Sequence, residues 1–234
     1  MIAYKFLSSD RTGLFSGIRW PDPGTWLKAD AEIERCVSGI HALHPEALLD
    51  WIDDELWTCE LTGIVEDEGH VLVAERGRLL EQVPAWNATA ARDFARVCAA
   101  RGREHVVEAL RVDGYDDEAH ELGGLDVEGF VTTAPGLAAR LATDIAGLVL
   151  MAADTSALAE GRRLEAREPQ LRSHIEAVAA GGATHGALAA NVAFIVAHST
   201  AGLHPEGYEA GFAAERAWQL ERLVERLGLA VSAS

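Results

Sequence analysis

The chain has 234 residues, of which 37 are acidic and 20 basic, for a formal net charge of −17. That balance excludes phosphate-driven nucleic-acid binding and docking on an anionic membrane surface, since no Lys/Arg run extends beyond Arg162-Arg163. Apolar residues at 49% and charged residues at 24% describe an ordinary globular protein, long enough for one large domain or two small ones.

The first 86 residues carry five of the six tryptophans and most of the β-type patterning. Ile2–Leu7 reads as a strand, followed by Ser8-Ser9-Asp10 and Thr12-Gly13 as turn residues. Gly17–Trp26 (GIRWPDPGTW) holds two prolines and two glycines and reads as loop or sheet edge. The most distinctive stretch is Cys36–Leu61. It reads as a strand at Gly39–Ala42, a turn at His44-Pro45, an amphipathic helix to about Ile52 and a strand from Leu56. Pro45 suits the first helical position, where a missing N–H costs nothing. Leu48, Leu49 and Ile52 then share one face. Further strands are expected at Leu56–Leu61, Val71–Ala74 and Leu79–Val83, with turns at Glu66–Gly69 and Arg76-Gly77, the last two strands pairing as a hairpin.

At Asn87 the texture changes. Asn87 reads as the cap of a helix carrying Phe94, Val97, Cys98, Val106, Val107 and Leu110 at helical spacing, with Gly102 bending or splitting it. Asp113–Gly129 is acidic and glycine-rich and reads as a loop. From Pro135 everything reads as helical. Thr133 is the expected N-cap of a run to Arg167, apolar almost all round over Ile145–Ala153. Another helix runs from Glu168-Pro169 to a Gly181-Gly182 cap, and two more follow at Ala187–Ala201 and Pro205–Leu227, hinged at His204-Pro205. The expected fold class is α+β. A small N-terminal mixed β-sheet module with one short helix (1–86) leads through a helix and acidic linker loop (87–132) to a C-terminal α-helical bundle (133–234).

Three scattered cysteines make no disulfide framework. The N-terminus, MIAYKFLSSD, has no signal-peptide pattern, and Ile145–Ala153 is too short to cross a bilayer. A soluble, cytoplasmic protein is the expectation.

Chemistry is sparse in this sequence. His41 sits in an apolar strand beside Gly39, and a functional imidazole there needs a carboxylate to orient it. Glu60, on the strand expected next door, is first choice, with Asp53 and Asp54 behind it; the plainer reading is a core histidine bonded to backbone. Cys36, His41, His44 and Cys59 are zinc-ligand types, but C-x4-H-x2-H is not a recurring closed-site spacing, so no metal is assigned. Trp20 and Trp26, flanking PDPG, are the tryptophans expected at the surface, lining a cleft. In the helical half, Asp144, Asp154, Asn191 and His198 fall in apolar stretches and read as polar ties, with His198 or Arg216 as partner for Asp154. The Walker, G-x-G-x-x-G, G-x-S-x-G, H-E-x-x-H and EF-hand patterns are absent.

Two resemblances follow from these residues. Tyr4-Lys5 on the first strand, with His41 and Glu60, resembles the ADP-ribosyltransferases, where a first-strand basic residue and a late-strand glutamate grip nicotinamide dinucleotide. Here the expected arginine is Lys5, and neither a Ser-Thr-Ser strand nor a Glu-x-Glu turn stands in place. The segments AYKFL, RWPDPGTW, CVSGIHAL, DELWTCEL and HVLVAERGRLL resemble a mostly actinobacterial family. Its N-terminal module is similar to a phage-protein module with a C-x-x-G-[FI]-H-A-C signature, whose final cysteine is Leu43 here. This likeness covers about the first 86 residues and touches the helical part only at AAERAWQLERL. It implies the module and no activity.

The functional expectation is a small-molecule-handling protein with a cleft near His41, enzymatic action and any cofactor being left open. His41, Glu60 and Lys5 are the catalytic candidates, and Tyr4, Trp20 and Trp26 the ligand-binding ones. The rival expectation is an adaptor whose helical half binds another protein or a second copy of itself as a homodimer.

Overall fold

The structure, a computed structural model, describes residues 1–30, 38–67, 69, 71–162 and 184–229. The class is α+β. Met1–Ala90, together with the chain from Leu220, forms one compact unit and Ala91–Gln219 the other.

In the first unit the strands are β1 (Ile2–Leu7), β2 (Leu27–Lys28), β3 (Ile40–Leu43), β4 (Glu55–Asp67) and β5 (Val71–Gln82). Every recorded pairing is antiparallel, in contrast to the mixed sheet expected. β1 lies between β3 and β4, while β5 pairs with β4 on one side and with β3 and β2 on the other, so β1, β4, β5 and β3 close into a ring. A closed ring leaves few free edges. Strand alternation turns Ala3, Leu7, Ile40, Ala42, Cys59, Leu61, Leu72, Ala74 and Leu79 into its interior, where Trp20 joins them. Small residues are frequent there because so tight a ring leaves little room.

Val71–Ala74 and Leu79–Val83 are therefore not two strands with a turn at Arg76-Gly77 but parts of one strand, β5, whose hairpin partner is β4. Gly77 is present for contact rather than for turning. A Cβ on it would lie 2.6 Å from Ile40 Cγ2, 3.0 Å from Trp20 and 3.2 Å from Leu61. β4 ends at Asp67 and β5 begins at Val71, and between them Gly69 takes φ 81° while its N–H donates to Asp67 Oδ1. Between β3 and β4 the expected short helix is present, wound as a 3₁₀ helix over Pro45–Trp51, with Ala47, Leu48, Leu49 and then Ile52 buried. Trp86 closes the unit, its ring edge-on to Phe6 at 5.5 Å and its Nε1–H donating to the Asp53 carbonyl.

The helices are α1 (Ala88–Val112), α2 (Asp116–Gly123), α3 (Val127–Ala138), α4 (Thr143–Ala159), α5 (His185–Thr200) and α6 (Tyr208–Leu227). Asn87 caps α1 as expected, Oδ1 accepting from the Thr89 and Ala90 N–H groups. Gly102 does not split α1. It lets α5 approach, since a Cβ there would meet Val196 at 3.2 Å. The expected loop Asp113–Gly129 is instead α2 and the start of α3. Acidic residues crowd the first turn of α2, where they suit the helix dipole, and Asp126 caps α3 by accepting from Gly129 N–H. Thr133 is thus no N-cap, and Pro135 lies inside α3. The fully buried part of α4 is Ala152–Ala159, one turn or more beyond the expected Ile145–Ala153, where Ala146, Gly147, Leu148, Leu150 and Met151 are half-buried. α1, α2, α3 and α4 share a core built from Val106, Leu110, Leu122, Phe130, Leu137 and Val149. The single helix expected from Thr133 to Arg167 is instead α3 and α4, the latter ending at Ala159 with Gly161 at φ 72° just beyond it, and the helix expected from Glu168-Pro169 to Gly181-Gly182 lies outside the described residues. His185–Leu203 is long and apolar enough to span a membrane by composition, but half of it is buried inside the protein, as in a core helix.

Candidate functional site

The residues expected to form one site fall into three places. Lys5 belongs to the ring's interior. It shares a face with Ala3 and Leu7, stands opposite Trp57, and is only 5% exposed. Its ammonium lies 4.6 Å from the Trp51 ring centre, and burial pulls its pKa from 10.5 to about 8 although Cys59 and Asp53 favour the charge. His41 meets the same tryptophan from another direction, ring to ring at 6.2 Å, and its Nδ1 is 3.1 Å from the Gly39 carbonyl. Phe15, on the exposed loop after β1, lies edge-on to Trp51 at 6.0 Å. Trp51, which no sequence pattern singles out, thus gathers Lys5, His41 and Phe15.

Glu60 is elsewhere. Sequence reading expected β4 beside β3, but β1 and β5 are the neighbours of β3, so His41 and Glu60 are not adjacent. Glu60 stands opposite the exposed Ile2, on the face opposite that of Lys5, and binds Arg78 at 2.6 Å. Trp26 joins it there, with the Arg78 guanidinium 4.6 Å over its ring. Trp20, expected at the surface, is 3% exposed and packs in the ring. Its loop folds inward because Trp20 N–H donates to the Arg11 carbonyl beside the Thr12–Arg19 bridge. Tyr4, half-buried, pairs with Leu43. The ADP-ribosyltransferase-like trio is consequently not assembled: Lys5 and Glu60 face opposite ways, and β1 separates His41 from Glu60.

Of the zinc-type residues, Cys36 lies outside the described residues and His44 is 3.1 Å from Asp67. Cys59 is sealed in the ring, where burial pushes its thiol up to about 12. Among the described residues no three His, Cys, Asp or Glu side chains gather in metal-binding range. The expected polar ties also rearrange. Asp144 and His198 are exposed, His198 being bonded to the Tyr208 hydroxyl rather than to Asp154, and Asn191 donates to the Ala187 carbonyl.

A carboxylate-oriented histidine does exist, in the helical unit. His105 Nε2 on α1 is 3.0 Å from Glu215 Oε2 on α6, and Glu215 is only 5% exposed. Arg101, one turn before His105, brings Nε to 3.6 Å from the same oxygen and lays its guanidinium 5.1 Å over Trp218. Gln219, fully buried, donates to the Ala193 carbonyl at 2.9 Å and to Glu215 Oε1 at 3.3 Å. A carboxylate so deeply placed needs such donors, since burying an unpartnered charge is costly. Because the carboxylate accepts, the neutral His105 ring carries its proton on Nε2, leaving Nδ1 as the basic nitrogen.

Arg101, His105 and Glu215 line a cleft of about 320 Å³ with Thr200, Leu203, His204, Pro205, Gly211 and Ala214. His204 Nδ1 accepts from Glu206 N–H, so its neutral ring offers Nε2–H as a donor. Gly211 makes the cleft possible, since a Cβ there would run into the Ala201 carbonyl and lie 2.7 Å from His204 Cβ. Sequence reading missed His105 and Glu215 because they are 110 positions apart. The available signal was local: Arg101 and His105 share one helix stripe, as do Glu215 and Gln219.

No protein-family model, curated protein or solved structure matches this chain.

Proposed function

We propose that this is a cytoplasmic, small-molecule-handling protein whose acid–base centre is His105 held by Glu215, in the helical unit's cleft rather than at His41. One observation carries the reading: an imidazole fixed at 3.0 Å by a nearly buried carboxylate at the wall of a cleft. Such a pair orients a general base, and the cleft adds a guanidinium, a second imidazole and apolar walls at Leu203, Pro205 and Ala214. The likeness of the first 86 residues to the phage-protein module describes the other unit and assigns it no chemistry. The test is an NMR fragment screen on the full chain, with the His105 tautomer read from long-range ¹H–¹⁵N couplings. The expected result is an Nε2–H tautomer and fragments that shift His105, Thr200, His204 and Gly211, lost in His105→Gln. An Nδ1–H tautomer, or fragments that never perturb these residues, refutes it.

The adaptor reading rests on a different observation. Phe194 and Tyr208 are exposed and form an aromatic cluster with His198 and Phe212, ring centres 5.5 to 6.2 Å apart. Light scattering at rising concentration tests self-association through it: a dimer abolished by Phe194→Ser supports that reading, and a monomer throughout removes the homodimer.

A further inference from the structure

A second cleft, of about 340 Å³, lies along a neighbouring stripe of α1 and shares no residue with the first. Ala100, Arg103, Glu104, Val107 and Arg111 recur at the spacing of one helix face, and Leu122, Gly123 and Phe130 complete the wall. Arg103 is its centre. The side chain is half-buried and its Nη1–H donates to Ser156 Oγ at 3.1 Å. Ser156 gives its own proton to the Ala152 carbonyl, so its lone pairs hold the guanidinium in place. Phe130 faces the guanidinium at 5.9 Å.

Arg103 takes no part in any ion pair among the described residues, whereas Arg96, Arg101, Arg111 and Arg140 each lie within 4 Å of a carboxylate. Burial alone works against its charge, while Glu104 and Glu160 favour it from a distance. In a chain with 37 acidic and 20 basic residues, a guanidinium held in a cleft against a neutral hydroxyl is unusual. A partly desolvated guanidinium presents a fork matched to a carboxylate. The second guanidinium, Arg111, stands at the rim, already paired with Glu108 at 3.0 Å. Gly123 lines the cleft beside it, and even a Cβ there would stand only at ordinary contact distance, 3.4 Å from Val107 and 4.0 Å from Arg111 Nη2. The rest of the wall is Ala100, Val107, Leu122 and Phe130, all apolar, and Glu104, whose carboxylate lies 3.7 Å from Arg101 Nη1. A bare inorganic anion would leave that wall unfilled. A small organic acid fits both halves.

We infer that this cleft binds a small organic carboxylate, its carboxylate gripped by Arg103 and its apolar body lying on Val107, Leu122 and Phe130.

The test uses the full chain and three probes, benzoate, the neutral benzamide and inorganic phosphate, followed by NMR shifts of Val107, Leu122, Gly123 and Phe130. Benzoate is expected to bind at least about tenfold more tightly than either of the others, and Arg103→Gln to weaken it about tenfold or more. Arg103→Lys, which keeps the charge but loses the fork, is expected between the two. Benzamide binding as well as benzoate overturns the anion-recognition half, and phosphate binding better overturns the organic-acid half. No benzoate-induced shift at these residues up to 10 mM, or an affinity indifferent to Arg103→Gln, overturns the whole. If Arg103→Gln does not fold, the three-probe ranking on the unaltered chain still decides.

Discussion

Replacing Lys5 by Met should stabilise the sheet unit at neutral pH and do so less and less as the pH rises. In the unfolded chain Lys5 titrates near 10.5 and in the folded one at about 8, because burial in the ring disfavours the ammonium. Below pH 8 both states hold the proton and the full penalty is present. The difference between 10.5 and about 8 corresponds to about 3 kcal/mol. Between pH 8 and 10.5 the unfolded state binds a proton that the folded state has lost, so stability rises with pH and the penalty disappears. Methionine removes the charge while keeping a long, flexible chain. It also forfeits the ammonium contact with Trp51, worth about 1–2 kcal/mol in a desolvated setting. The net gain at pH 7 is therefore about 1–2 kcal/mol, falling toward zero above pH 10. Cys59, held above its usual value, titrates in both proteins and largely cancels from the difference. Urea unfolding followed by tryptophan fluorescence suits the question, since Trp20, Trp26, Trp51, Trp57 and Trp86 all report the sheet unit. A Lys5→Met protein less stable than its parent by 1 kcal/mol at pH 7, or a difference unchanged from pH 7 to pH 10, refutes the placement of this ammonium inside the ring.

Gly77→Ala should destabilise the sheet unit by about 1–3 kcal/mol, because Ile40, Trp20 and Leu61 already occupy the space a methyl group needs; an unchanged urea midpoint would mean that the ring is wider than described. Gly211→Ala should push the Ala201–His204 segment away from α6, abolishing fragment shifts at His105 and His204 while the NMR shifts of Val107 and Leu122 stay in place. Fragment binding at His105 that survives this substitution argues against the cleft geometry.

The α+β class, the first strand to the residue and the Asn87 cap were legible in the residues, as was helical character in the second half. These are local matters: alternation, turn residues and capping act over a few positions and need no partner elsewhere in the chain. Misreadings arose where a local signal had a tertiary cause. Gly77 resembles a turn residue, yet its missing side chain serves Ile40 and Trp20 across the ring. Asp113–Gly129 resembles a loop, yet Ala119 and Leu122 there, with Phe130 just beyond, bury in the core shared with α1, α3 and α4 and keep the segment helical. Which carboxylate meets which histidine is settled by packing between elements far apart in the chain. Strand order placed Glu60 beside Arg78 instead of His41, and the packing of α6 on α1 brought Glu215 to His105 across 110 residues. Chain spacing carries no record of that distance. It becomes short only when burying apolar faces such as those of Val106, Val192 and Val196 draws the helices together, and the polar groups travel with them.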